Sequence, residues 1–360
     1  MIESVKDNIL QEDLYEISNC KQIEWHKLSG KSILVTGGTG LIGSQIVKAL
    51  ACANRIKELN MNICVLARNY NKVQKILGEL VDRKDINIIL QDIQQLKDIS
   101  LKVDYIIHGA SVTSSQEFVK SPVETIDVGL IGTKNILEIG RKNSIEGMVY
   151  LSSMEVYGVS DFNLESVNET DYGYIDPLDI RSSYSEGKRM IECMCSAYVS
   201  QYNMPIKVAR LVQTFGPGIE KNDNRVFAQF ARSVMLKKDI ILHTTGETLR
   251  SYCYTRDAII AILMLLTKGN QGEAYNIANE EETISIKDMA QMLVEHYGND
   301  EMKVIIKLED IRKYGYAPVI KMRINTDKMK LLGWQPKITL LDMYNRMIQS
   351  MNQITKGENL

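Results

Sequence analysis

The sequence lacks the marks of several protein classes. Cys20, Cys52, Cys64, Cys193, Cys195 and Cys253 include no CxxC pair, and no histidine lies near the CxC of Cys193 and Cys195. With 4 histidines in the whole chain, neither a zinc site nor a disulfide framework is expected; the thiols read as small hydrophobes. No block of one charge sign stands out, and Lys+Arg 43 against Asp+Glu 45 leaves −2. Nucleic acid and charged membrane surfaces are therefore not indicated as partners. The longest apolar run, Ala258–Thr267, is about half of the ~20 residues that a membrane span needs. The opening MIESVKDNILQEDLYEI carries acids where a signal peptide carries a basic and then an apolar region, so a reducing cytoplasm is the expected location. Repeats and low-complexity tracts are missing too, which leaves an ordinary globular chain with a sizeable core.

What is present is an alternation of apolar strand-like runs with helical patterns. Strands are expected at 32–37, 62–67, 86–91, 103–110, 147–153 and 206–211, and helices near 43–59, 70–80, 123–142 and 184–202. Unbroken apolar strands mark a sheet covered on both faces, and strand–helix alternation makes it parallel. The expected fold is α/β: a Rossmann-type, doubly wound parallel sheet with a smaller C-terminal lobe. Residues 30–212 would form the dinucleotide-binding domain and 213–360 a substrate-binding lobe, with 256–278 returning to the sheet. Residues 1–29 form an extension that either caps the sheet or mediates assembly.

ILVTGGTGLIGSQIVKAL (33–50) places Gly37, Gly38, Gly40 and Gly43 where the first strand hands over to a helix. Glycines there admit a pyrophosphate to the helix N-terminus, so Gly37, Thr39, Gly40, Leu41, Ile42 and Gly43 are assigned to a dinucleotide. The stretch after the second strand, VLARNYNK, has Arg68 and no acid for a ribose 2′-hydroxyl. Either Arg68 meets a 2′-phosphate or it faces solvent; the first favours NADP over NAD. Asp92, with Ile93 beside it, either accepts from the adenine amino group or is a turn residue.

RSSYSEGKRM places Tyr184 and Lys188 four apart on one helix face. An ammonium beside a phenol lowers the phenol's pKa from ~10, which would make Tyr184 a base near neutrality. Upstream, Ser152 and Ser153 end a strand at the carboxyl edge where such sheets bind ligands.

TGGTGLIG (36–43), GTKNILE (132–138), SSMEVYG (152–158), YSEGK (184–188), RLVQTFGPG (210–218), RSYCYTRDAI (250–259) and LLGWQPK (331–337) together resemble the extended short-chain dehydrogenase/reductase superfamily, in its nucleotide-sugar epimerase/dehydratase branch. The resemblance implies Ser153, Tyr184 and Lys188 as catalytic triad, with oxidation of a hexose at C4 through bound NAD(P). It implies Gln213 as a substrate contact and Arg225 and Arg250 as diphosphate and nucleotide contacts, each with a surface charge as the plain alternative. It also implies a nucleotide-diphosphate sugar as partner, and a homodimer through helices near 123–142 and 184–202. Glu155 stands where related dehydratases and decarboxylases carry a glutamate acting as base at C5, unless it is an exposed carboxylate at a strand end. Met154 replaces the aspartate that protonates a leaving hydroxyl in hexose dehydratases. Dehydratase-like chemistry is favoured through Glu155; UDP-glucuronate decarboxylation, 4-epimerisation, keto-sugar reduction with NADPH and non-catalytic NADPH binding are the alternatives. The arginine expected to hold a glucuronate carboxylate has no clear counterpart in KMRINTDKMKLLGW.

Overall fold

The structure, a computed structural model, describes residues 2–298, 301–309 and 319–358. Seven parallel strands form the main sheet: β1 (Ser32–Thr36), β2 (Asn62–Ala67), β3 (Ile86–Leu90), β4 (Tyr105–His108), β5 (Gly147–Ser153), β6 (Ile206–Leu211) and β10 (Ala274–Ile277). Their order is β10-β6-β5-β4-β1-β2-β3, so the winding reverses between β1 and β4. Ligands of doubly wound sheets bind at such a switch point.

The pleat sorts neighbouring residues to opposite cores. Ile33 and Val35 of β1 pack with α1 (Asn8–Ser18), α2 (Leu41–Lys57) and α8 (Thr255–Lys268). Leu34, between them, packs with Ile136 and Leu137 of α5 (Pro122–Asn143) and Ile191 of α6 (Ser182–Tyr202). Two further helices, α3 (Tyr70–Leu77) and α4 (Ser115–Lys120), follow β2 and β4.

A third core lies among β7 (Gln213–Phe215), α7 (Val226–Met235), β8 (Ile240–Leu242), β9 (Leu249–Tyr254), α9 (Ile286–Tyr297) and α11 (Leu340–Glu358). Strand β9 organises this part: it runs antiparallel to β11 (Asn279–Ser285) and parallel to both β7 and β13 (Lys321–Met322). That pairing sets Arg250 beside Met322 and brings Gln213 into the same small sheet. Strand β12 (Val304–Ile306) pairs with β8, and α10 (Asp327–Leu331) packs near β10. Of the stretch read as helices and short strands from about 280 onward, 299–300 and 310–318 lie outside the described residues.

The main strands and helices match their expected positions within a few residues. Helix α2 starts at Leu41 rather than at 43, because Gly40 takes the extended N-cap conformation. The N-terminal extension holds α1, which packs on helices α2, α8 and α11 and shares the core beneath this face of the sheet. Asp7 caps it, and Leu10, Leu14 and Ile17 bury its inner face.

Candidate active site

The glycine turn is shaped first by its own packing. Gly37 has φ +71, and a Cβ there would meet the Gly109 backbone at 2.8 Å. A Cβ on Gly43 would sit 2.2 Å from the Gly37 carbonyl oxygen, so α2 can lie this close to the turn only without a side chain. Gly40 differs: it is exposed, and a Cβ there meets only Gly37 O, at 3.4 Å. No side chain caps α2, which leaves the first amides of the helix, from Leu41 onward, for an anion. Thr39 and Ile42 are half-buried beside it. The turn therefore fits a dinucleotide's pyrophosphate, and the same residues explain why it must be glycine-rich. It is braced by the β1–β4 register, which sets Thr36 opposite His108. Thr36 Oγ1 lies 2.7 Å from His108 Nδ1, and His108 Nε2 lies 2.9 Å from Thr133 Oγ1. Burial lowers the His108 pKa to about 3, so the ring is neutral and structural.

At the adenosine end, Arg68 is largely exposed and lies 3.9 Å from Asp92. The Asp92 carboxylate accepts from the Gln94 amide at 2.8 Å, which is a turn-residue arrangement, and Ile93 is buried against Gly132.

Ser153, Tyr184 and Lys188 come together at the end of β5 and the start of α6. The Ser153 hydroxyl hydrogen-bonds the Tyr184 phenol, whose ring stacks on Phe118 with centroids 4.2 Å apart. Lys188 Nζ donates to the Leu151 carbonyl at 2.8 Å and lies 5.6 Å from the Tyr184 ring centroid. The expected lowering of the tyrosine pKa is not what this structure shows. Burial, then the nearby Glu155 carboxylate, push the phenol well above its usual value, outweighing Ser153 and Arg181. Lys188 points its ammonium at a carbonyl, and its own pKa falls to about 8 through burial.

Glu155 is not an exposed carboxylate. Arg181 grips both its oxygens, at 3.0 and 3.1 Å, and Ser185 donates to it at 3.2 Å. It lines a cleft with Met154, Arg181, Gln213, Arg250 and Met322. Met154 is 4% exposed and presents a thioether where a proton donor would be needed. Arg250 Nε is buried without a hydrogen-bond partner. Arg225 stands apart from this cleft lining: it precedes α7, binds Asp223 through Nε at 3.0 Å, and lies over Phe227.

Comparison with known proteins agrees with this architecture. The model of the NAD dependent epimerase/dehydratase family matches residues 33–278. The chain belongs to that family. It is an NAD-dependent enzyme of the epimerase/dehydratase class. Among curated relatives, UDP-glucuronic acid decarboxylase 1 of Xenopus tropicalis is 27% identical over 319 residues, 88% of this chain and 71% of that protein. UDP-glucuronic acid decarboxylase 6 of Arabidopsis thaliana is 29% identical over 314 residues, 87% of this chain and 86% of that one. Among solved structures, UDP-glucose 4-epimerase of Thermotoga maritima superimposes with a TM-score of 0.75 at 22% identity, covering 90% of this chain and 99% of that one. The dTDP-glucose 4,6-dehydratase of Bacillus anthracis, solved with NAD, gives 0.73 at 22% identity, covering 91% and 98%.

Sequence reasoning missed Arg181, Ser185 and Phe118. Arg181 and Ser185 flank Tyr184 at −3 and +1, so they fall on the first turns of α6 facing the strand end that carries Glu155. Placing the tyrosine's helix against Glu155 would have found them. Phe118 lies far away in sequence, and no local signal marks it.

Proposed function

We propose that the chain oxidises a nucleotide-linked hexuronate at C4 and decarboxylates it, as a UDP-glucuronate decarboxylase does. The observation that carries this is Arg250 Nε, a guanidinium donor buried without a partner in the cleft that also holds Glu155 and Met154. A buried cationic donor left unpaired is costly, and a substrate carboxylate would satisfy it. Arg250 then fills the role for which residues 321–334 offer only Arg323, which is offset and lies 3.6 Å from Glu281. The names of the curated relatives support the same reading.

A nicotinamide dinucleotide held at the Gly37–Gly43 turn would supply hydride acceptance and return at C4. Ser153 orients the C4 oxygen, and Tyr184 takes its proton only as the phenolate, which burial and Glu155 disfavour and which the ammonium of Lys188 beneath it would have to support. The C4 ketone lies β to the C6 carboxylate, so loss of carbon dioxide leaves its electron pair delocalised onto that ketone oxygen, and C5 then takes up a proton. Gln213 faces the sugar beside Arg250. Arg225, bound to Asp223 outside the cleft lining, has no role assigned to it in this step.

Dehydration is the second reading, favoured by Glu155 in the cleft as a base at C5; Met154 leaves it without an acid for the departing hydroxyl. Arg68 and the absence of an acid after β2 support NADP over NAD, to be tested by the affinities for the two dinucleotides. Exposed Val123, Ile126 and Ile131 of α5 and Met190 of α6 support a homodimer through these helices, to be tested by mass in solution. A cytoplasmic location fits the absence, among the described residues, of any helix long and apolar enough to cross a membrane.

The deciding experiment is product mass after incubation with UDP-, GDP-, CDP- and dTDP-hexoses and UDP-glucuronate, without reductant. Loss of carbon dioxide from UDP-glucuronate supports the proposal. Loss of water from a neutral hexose, or isomers of unchanged mass, overturns it.

A further inference from the structure

Helix α6 carries a third ionisable side chain at the spacing of the catalytic pair. Tyr184, Lys188 and Glu192 follow at four-residue intervals, so they stack along one face. Lys188 is 4% exposed, and its ammonium touches the Leu151 carbonyl and lies 4.7 Å from the Tyr150 ring centroid. Neither neutralises a charge. The titratable groups around it are Tyr184, Glu192 and Cys195 on α6, Tyr150 on β5 and the neutral His108 on β4. Glu192 is the carboxylate among them.

That carboxylate is held with little freedom. The β5–β6 register sets Ser152 beside Arg210, and Glu192 bridges both. Ser152 Oγ donates to Oε1 at 2.5 Å; Arg210 donates through Nη2 at 2.6 Å and through Nε at 3.1 and 3.2 Å. Arg210 is fixed in turn: it donates to the Tyr157 hydroxyl at 3.0 Å and the Glu169 carbonyl at 2.6 Å, with the Tyr157 and Tyr172 rings 5.0 Å away.

We infer that Glu192 is a positioning residue which keeps Lys188 an ammonium beneath Tyr184, so that the phenol rather than the amine exchanges the C4 proton. The inference rests on the reading of Tyr184 and Lys188 as the pair that handles that proton. Burial draws Lys188 down to about 8, and Glu192 is the first group opposing it. A neutral amine cannot stabilise a phenolate, so activity is lost as pH rises through the Lys188 pKa. Removing the Glu192 charge lowers that pKa and moves the alkaline limb to lower pH.

The test uses the full chain labelled with carbon-13 at lysine Cε, titrated by NMR from about pH 6 to about pH 11. The Lys188 signal is assigned by its disappearance in Lys188→Arg. In the unsubstituted protein the expected midpoint is about 8. In Glu192→Gln it falls by about one pH unit or more. Because this variant strands the Arg210 charge and can fail to fold, Glu192→Gln/Arg210→Met removes both charges together. There too the midpoint falls, by less, whereas Ser152→Ala leaves it in place. A midpoint unchanged in the double variant overturns the inference, even if thermal stability drops. The titration needs no substrate. A shifted midpoint in a protein that turns over no sugar refutes the proposed reaction and leaves the Glu192–Lys188 coupling standing.

Discussion

Substituting Gly43 by alanine separates a glycine required by packing from one open to ligand. The added methyl would lie 2.2 Å from Gly37 O and 2.7 Å from Gly37 C, and both are backbone atoms that cannot rotate away. Either α2 or the turn must shift by more than an ångström. Overpacking of this kind costs about 1–3 kcal/mol, and contact with rigid backbone puts this site at the upper end. Unfolding entropy near ~2.1 cal/mol/K per residue gives about 0.8 kcal/mol/K for a chain of 360 residues. A loss of ~3 kcal/mol therefore lowers Tm by about 4 °C. Gly40→Ala is the control, because its methyl meets only Gly37 O at 3.4 Å. It should cost about 0.5–1 kcal/mol through the weaker cap, or ~1 °C. Calorimetry gives both Tm values, and dinucleotide titration by intrinsic fluorescence gives affinity. Gly43→Ala should lose both stability and dinucleotide binding. If it melts with Gly40→Ala and binds dinucleotide normally, the packing argument for this turn is wrong.

Three further perturbations follow from the same structure. Arg250→Lys keeps a cation but removes Nε; kcat/KM for UDP-glucuronate should fall about 100-fold, as for loss of a charged hydrogen bond, with binding of UDP-glucose little changed. His108 is neutral in the fold with its pKa lowered to about 3. Protonation of the unfolded chain therefore drains stability as pH falls below ~6.5, by about 4 kcal/mol near pH 3, and His108→Gln should flatten that slope in denaturant titrations. Lys188 obeys the same linkage in a higher pH window: its folded pKa of about 8 lies below that of free lysine, so burying the ammonium costs stability below pH 8 and progressively less up to ~10.4. Lys188→Met should abolish turnover yet stabilise the protein by about 2–3 kcal/mol at pH 7, a gain that fades on the alkaline side; equal stability at both pH values would contradict it.

The parallel sheet was legible because its strands are unbroken apolar runs, and the first turn because its glycines have a spacing that few other structures need. Tyr184 and Lys188 were legible because helical spacing alone puts them together. The rest depends on contacts between distant segments. Glu155 could be placed at a strand end, but its grip by Arg181 requires knowing how α6 docks against β5. The buried Glu192–Arg210 pair comes from β6 lying beside β5, a fact of strand order rather than of sequence pattern. Arg250 was identified, but its place in the cleft beside Glu155 follows from β9 pairing with β7 and β13. The phenol's raised pKa was missed because burial, which local spacing does not report, outweighs a neighbouring charge.

The most direct test of the account is release of labelled carbon dioxide from carboxyl-labelled UDP-glucuronate by the protein supplied with NAD or NADP and no reductant. The account predicts release that requires Tyr184 and collapses in Arg250→Lys. Retention of the label in a product that has lost water, or in an isomer of unchanged mass, would contradict it.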